Sequence, residues 1–328
     1  MLNGLFRSVM ADSRMPVFFH PLYTDGIHPD ARFPRDRYVR LERRLRSGLA
    51  LAMVRIEEAP ACSRAELLLA HDPGYVDRFL TDSLDKKEIR RIGLRPWIPQ
   101  LIPRTQHIVG GALAALQCVS NSGGIAGNMA GGTHHAHWNF GSGYCVFNDL
   151  AICARYAVQN LGVQRVLILD LDVHQGDGTA TILTDDEETW TVSVHCGVNF
   201  PFRKTRSDHD IGLASGSEDL EYLSAVSSAI EVGMGFQPEL VLYQAGVDGL
   251  KSDALGRLNV SRQGMQKRNR MVFEACFEAK AGCVVFMGGG YSKPIEPTLD
   301  AFEDLFLDAA RWHARWSKPD GSPRTGAR

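Results

Sequence analysis

Apolar positions along the chain fall into two kinds of run. Short continuous runs, such as Val166-Leu167-Ile168-Leu169 and Leu240-Val241-Leu242-Tyr243, have strand length and no polar alternation. That is the pattern of strands covered on both faces of a sheet. Between them lie stretches with apolar residues three and four apart, the spacing of helices. Strands are predicted over 17–19, 124–130, 166–169, 191–195, 240–245 and 283–287. A helix over 35–46 places Tyr38, Leu41 and Leu45 inward and leaves a basic outer face, from which Arg35 or Arg37 could reach inward. Ser63 and Glu66 form a capping box, and Asp72-Pro73 opens a helix through Phe79. Further helices are predicted over 104–119, from Asn148-Asp149 onward, over 177–183 and 219–234, from Ser261 to Lys280, and from Glu296 to about Trp312. Residues 86–103 and the polar stretch running to Gly216 read as ordered loops. Strands alternate with helices and no linker interrupts the series. The expectation is one α/β domain, a mainly parallel sheet with helices on both faces, over 16–317. Residues 1–15 read as a flexible leader, with Met10 or Met15 a candidate start, and 318–328 as a disordered tail.

Composition narrows the setting. The 328 residues are 44% hydrophobic, ample for a large core. A formal net charge of -2 with 23% charged residues gives no global electrostatic case for nucleic acid. No apolar run approaches the roughly 20 residues of a membrane span. Seven scattered cysteines without a CxxC pair fit a reducing, cytoplasmic setting. Nothing in the pattern sets an oligomeric state.

The polar clusters sit immediately after strands, and in open parallel sheets the carboxyl ends of strands form the ligand crevice. Asp172 and His174 lie two apart, so on an extended backbone they point to one side, with Asp170 deeper in the same row. Charged groups ending a buried strand are costly unless they bind something. Asp248 follows another strand, His134-His135 a third and Tyr291 a fourth, so these residues should converge on one rim. Asp172, His174 and Asp248 make a three-ligand set with an open position, the pattern of a catalytic zinc site. Fe(II), Co(II) or Mn(II) would also suit so oxygen-rich a set. Water on such an ion has its pKa lowered toward about 7. His134 and His135 would supply a general base, a general acid or an electrostatic stabiliser. Each imidazole should be oriented by a carboxylate, and Asp170 and Asp177 are the unassigned acids nearby. The Tyr291 hydroxyl would donate to a carbonyl oxygen that gains charge. The parts together describe metal-assisted hydrolysis of an amide.

The chain resembles the histone deacetylase family, zinc-dependent amidohydrolases of the arginase-deacetylase fold. The blocks that carry the resemblance are Gly131-Gly132-Thr133-His134-His135, Gly143-Tyr144-Cys145-Val146-Phe147-Asn148-Asp149, Asp170-Leu171-Asp172-Val173-His174-Gln175-Gly176-Asp177-Gly178, Ala245-Gly246-Val247-Asp248 and Gly288-Gly289-Gly290-Tyr291. They stand in the family's order and cover roughly 17–310. The resemblance implies Asp172, His174 and Asp248 as zinc ligands and His135, paired with Asp177, as general base and then acid. It implies His134, paired with Asp170, as an electrostatic partner, and Tyr291 as the group that polarises the scissile carbonyl. Tyr144 and Phe200 would line a narrow tunnel for an acyl-lysine stem, with Gly143, whose carbonyl would accept from the substrate N–H, and Gly289 as further substrate-binding residues. A structural potassium ion would use Asp170, Asp172, His174, Ser193 and Val194. Gln175 stands where the best-known eukaryotic branch has His, and Tyr144 where Phe is usual. The block Asp219-Leu220-Glu221-Tyr222-Leu223 resembles the class IV branch and its bacterial relatives, some of which prefer longer acyl chains. His137 is expected at the rim without a role.

The implied substrates are acyl-lysine peptides, with acetylpolyamines or other small acylated amines as the alternative. A ureohydrolase on the same fold would need two manganese ions and a second carboxylate-rich motif, and only Asp248 is present there. A binding module without turnover would not need His134, His135 and Tyr291.

Overall fold

The computed structural model describes residues 12–316. Residues 1–11 of the expected leader and the expected tail lie outside that range. Among the described residues eight strands form: β1 (Met15–Phe19), β2 (Val54–Glu58), β3 (Ile125–Asn128), β4 (Val166–Asp170), β5 (Thr189–Cys196), β6 (His209–Leu213), β7 (Leu240–Gln244) and β8 (Gly282–Phe286). They form one sheet in the order β2-β1-β3-β8-β7-β4-β5-β6. Every neighbouring pair is parallel. A parallel sheet needs cover on both faces, which explains why β1, β3, β4 and β7 are buried at every position. The α/β reading with a parallel sheet therefore holds. Met15, placed in the leader from sequence, is fully buried as the first residue of β1.

The helices follow their local signals. Ser63 accepts from the Glu66 N–H in the expected capping box, and Asp72 caps Pro73–Leu80. Asn148 caps Asp149–Leu161, and Ser261 caps Arg262–Ala279. Three readings need correction. Residues 86–103 are not one loop: Lys86–Ile92 is a helix with its own capping box at Asp85 and Glu88, closed by Gly93 at φ 85°. The polar stretch toward Gly216 contains β6, and β2 lies in a segment given no element. Both are the sheet's edge strands. An edge strand buries less than a central one; β6 alternates half-buried and exposed residues, so its apolar signal is faint. The basic face over 35–46 is also not uniformly solvated, because Arg37, first residue of the helix Arg37–Leu45, is buried. Among the described residues no helix is long and apolar enough to cross a membrane. All seven cysteines are free.

Candidate active site

The site lies on the carboxyl ends of β3, β4, β5, β7 and β8, where their loops meet above the middle of the sheet. The loop after β3 carries the two histidines. It turns through Gly131 and Gly132 at φ 84° and 73°, left-handed values that favour glycine. A Cβ on Gly132 would collide with the Gln244 side chain, which holds the Gly132 carbonyl at 2.7 Å. Asp149 fixes the other side, accepting from the Gly132 N–H at 3.0 Å and the Thr133 N–H at 2.8 Å.

His134 and His135 are thereby buried with their Nε2 atoms 3.1 Å apart. His134 Nδ1 is 2.7 Å from Asp170, and His135 Nδ1 is 2.7 Å from Asp177. The two imidazoles are driven apart in acidity. Burial opposes charge on His134, but Asp170, by charge and hydrogen bond, outweighs it with help from Asp172 and raises the pKa to about 9. Burial and the charge on His134 lower His135 to about 3, against the pull of Asp177. The consistent proton arrangement follows. His134 is the cation and donates from both nitrogens, to Asp170 and toward His135. His135 is neutral, donates from Nδ1 to Asp177, and keeps its Nε2 lone pair. Asp177 also accepts from His137 Nε2 at 3.2 Å, and His137 Nδ1 meets the Thr181 hydroxyl at 2.9 Å. His137, expected at the rim without a role, thus braces the carboxylate behind His135.

Asp172, His174 and Asp248 come together as anticipated, each offering a donor atom within 4.8 Å of the others. His174 presents Nδ1, 3.1 Å from Asp172 and 3.0 Å from Asp248. The carboxylates are aimed by backbone: the Gly289 N–H donates to Asp172 at 2.8 Å and the Val173 N–H to Asp248 at 2.9 Å. Without a cation the three share protons awkwardly. Burial and the Asp172 charge push Asp248 up to about 7, while the two carboxylates overcome burial and lift His174 to about 10. Two acids and one imidazole buried in contact are a donor set that a divalent cation would neutralise. Gly289, expected on the substrate side, serves Asp172; a Cβ there would collide with Asp248. His174 Nε2 lies 3.4 Å from the Asn199 amide, and Asn199 also ties the Leu255 carbonyl and the Arg257 N–H.

Tyr291 is half-buried at the cavity wall, and desolvation keeps its hydroxyl protonated far above neutral pH. Its backbone N–H donates to Asp253 at 2.6 Å. Arg37 donates to the carbonyls of Gly288 and Gly290, both at 3.1 Å, and holds the glycine loop that carries Tyr291. Tyr144 sits at φ 68°, a left-handed value that a bulky residue rarely adopts, and its N–H donates to Ile92 at 2.7 Å. Gly143 is required beneath it, because a Cβ would lie 2.6 Å from the His135 ring. Phe200 packs edge-on against His135 with centroids 4.8 Å apart. These residues line one cavity of about 550 Å³ that contains His134, His135, Asp172 and His174. Ser193 stands beside Asp170 in register on β5 and its hydroxyl meets His195 at 3.0 Å; Val194 follows it, buried. Sequence reasoning missed Asp253, Asn199, Asp149 and Arg104. The turn-forming Asp253-Ala254-Leu255-Gly256 and the place of Asp149 after Asn148 at a helix opening were the available signals.

Comparison with known proteins agrees with this geometry. The family model described as the histone deacetylase domain matches residues 31–300. An uncharacterized protein of Picosynechococcus sp. is 42% identical over 85% of this chain and 93% of its own length. Histone deacetylase 2 of Arabidopsis thaliana is 32% identical over 86% of this chain and 74% of its own. The crystal structure of the HDA15 HD domain superposes with a TM-score of 0.77, covering 94% of this chain and 91% of that one at 18% identity, a likeness of fold. The chain belongs to the histone deacetylase family and is a hydrolase of the deacetylase type.

Proposed function

We propose that the protein hydrolyses the amide of an Nε-acylated lysine, using a divalent ion, zinc foremost with Fe(II) or Co(II) as substitutes, held by Asp172, His174 and Asp248. The observation that carries this reading is the joint burial of that donor set beside a histidine pair whose two members are pushed to opposite charge. A bound ion would supply the positive charge that polarises the amide carbonyl and acidifies water. His135, whose Nε2 lone pair His134 would release to an attacking water, takes a proton there and returns it to the leaving amine, and Asp177 stabilises the imidazolium in between. His134 stays charged and favours negative charge growing beside it. The Tyr291 hydroxyl donates to the carbonyl oxygen as it becomes anionic. Tyr144 and Phe200 enclose the lysine stem, and the Gly143 carbonyl accepts its N–H. A potassium ion beside Asp170, with Ser193, His174 and the carbonyls of Asp172 and Val194, would hold the β4 end in shape.

Acyl-lysine is favoured over an acetylpolyamine by the charge of the lining. Apart from the site's own Asp172 and histidines, the charged residues of the cavity are Arg37, Arg91, Arg104 and Arg257, which repel a polycation. A cytoplasmic location is proposed from the free thiols. The test is turnover of an acyl-lysine peptide by protein stripped with chelator and then reloaded with zinc, iron or cobalt. Activity should vanish on stripping and return on reloading. His135→Ala and Tyr291→Phe should each lower kcat by at least about two orders of magnitude, the scale of losing a general base or an oxyanion donor. Full activity in stripped protein would refute the reading.

A further inference from the structure

Beneath Tyr291 the cavity ends among cations. Arg37 and Arg104 are both buried, and among the described residues each hydrogen-bonds only to neutral oxygens. Their Nη2 atoms converge on one oxygen: each is 3.2 Å from the Tyr38 hydroxyl. Two guanidinium groups brought to one neutral acceptor, with no carboxylate between them, are an expensive arrangement for a folded chain. Aromatic faces of Phe33 and Tyr38 lie against both, but their remaining hydrogen-bond partners are few. Arg37 also reaches the two glycine carbonyls above, and its Nε is buried without any partner. Arg104 adds only a bond from Nε to the Tyr23 carbonyl at 3.2 Å, so its Nη1 has no protein acceptor among the described residues. Burial, and the adjacent Arg37 charge, hold Arg104 below the usual arginine range.

The position of this pair gives it meaning. Arg37 lies 5.5 Å from the Tyr291 ring centroid, and Phe33 sits among Tyr144, Tyr291 and both arginines. The chain of contacts therefore runs from the tunnel wall, past the tyrosine that faces the scissile carbonyl, to the guanidinium groups. An acyl group threaded past Tyr291 would point its far end at them. An apolar tail would leave both cations unpaired, whereas a carboxylate would satisfy unused N–H donors and offset the charge.

Resting on the acyl-lysine reading above, we infer that the acyl pocket is built for a chain that ends in a carboxylate, of the succinyl or glutaryl type, with Arg104 as its principal anchor and Arg37 assisting. Hydrolysis would then break the amide C–N bond with water, giving the free lysine amine and a dicarboxylate, the proton passing to nitrogen.

The test compares peptides carrying succinyl- or glutaryl-lysine with the uncharged butyryl- and valeryl-lysine on the metal-loaded enzyme. The anionic acyl should be preferred in kcat/KM by about tenfold or more, the scale of one well-placed charged contact. Arg104→Met should abolish that preference, and Arg104→Lys should keep part of it. In parallel, calorimetry on the same wild-type protein should find succinate or glutarate bound about tenfold more tightly than their uncharged diamides. Equal or better use of the uncharged acyl, an unchanged preference in Arg104→Met, or dicarboxylates binding no tighter than their diamides would each overturn the inference. If no acyl-lysine is cleaved at all, the hydrolysis reading fails by itself, and the calorimetry still decides the anion site. If Arg104→Met does not fold, the wild-type comparison and Arg104→Lys carry the result.

Discussion

In the proposed hydrolysis the chemistry turns on His135, and the state of that imidazole is set from behind. Asp177 accepts from its Nδ1 at 2.7 Å, which places the lone pair on Nε2. Replacing Asp177 by Asn removes the charge that stabilises the imidazolium and offers an N–H where an acceptor is needed. The amide would favour the other tautomer, with the proton on Nε2 and no lone pair facing the substrate. Asp177→Asn should therefore lower kcat by about two to four orders of magnitude, with little change in KM. Steady-state kinetics on the zinc-loaded variant check this, and a fall in kcat of less than about fivefold would contradict the assigned tautomer. Asp170 acts on a different quantity: it keeps His134 charged, and its loss would let that imidazole become neutral.

At the scale of elements, the site depends on how the loop between β3 and Asp149–Leu161 is tied down. Asn148 caps that helix through the Ala151 N–H at 3.0 Å, and its amide also reaches the Ala136 carbonyl and the Thr179 hydroxyl, each at 3.0 Å. Its own N–H donates to buried His71 at 2.8 Å. Asn148→Ala would remove the cap and leave two buried acceptors unmet, at about 2–4 kcal/mol in all. A lower denaturation midpoint, together with reduced kcat as the histidine loop loosens, is the expected outcome; an unchanged midpoint would show that the loop is held elsewhere. These ties also explain what could be read from sequence. The convergence of Asp172, His174 and Asp248 with both histidines was legible because polar groups stood directly after apolar strands, a contrast that only function or strain supports. Central strands were legible for the same reason, as unbroken apolar runs. The edge strands Val54–Glu58 and His209–Leu213 carry polar residues on their outer sides and so lack that contrast. Lys86–Ile92 hid its helix among charged residues beside a Pro-rich stretch, although Asp85 and Glu88 already spelled a capping box. Arg104 was legible only as a helical residue. Its meaning lies in a hydroxyl shared with Arg37, which sequence separation conceals.

For the whole molecule, the buried ionisable groups make stability depend on pH and on metal together. His71 and His195 are held down to about 4, mainly by burial. Unfolded histidine titrates near about 6.5, so between those values the unfolded chain binds more protons, and the stability these two contribute is lost as pH falls through that window. The cluster of Asp172, His174 and Asp248 pulls the other way. Asp248 is raised to about 7 against an unfolded value near about 3.9, so across that range the folded chain binds the extra proton and stability falls as pH rises. His174, raised to about 10, contributes stability that is complete below about 6.5 and disappears as pH climbs toward its folded value, and His134 behaves alike toward about 9. Below about pH 6.5 the two tendencies oppose each other; above it only the loss remains. Metal-free protein should therefore melt at progressively lower temperature from pH 6.5 to 9. A divalent ion bound there would take the place of the proton on His174 and neutralise both carboxylates, so it would compete with protons for the same three residues. The rise in melting temperature on adding zinc should accordingly grow from pH 6 to pH 8. Calorimetric melts at matched ionic strength, with and without the ion, measure that increment directly. An increment that is flat or shrinks over this range would mean that the ion binds somewhere other than Asp172, His174 and Asp248.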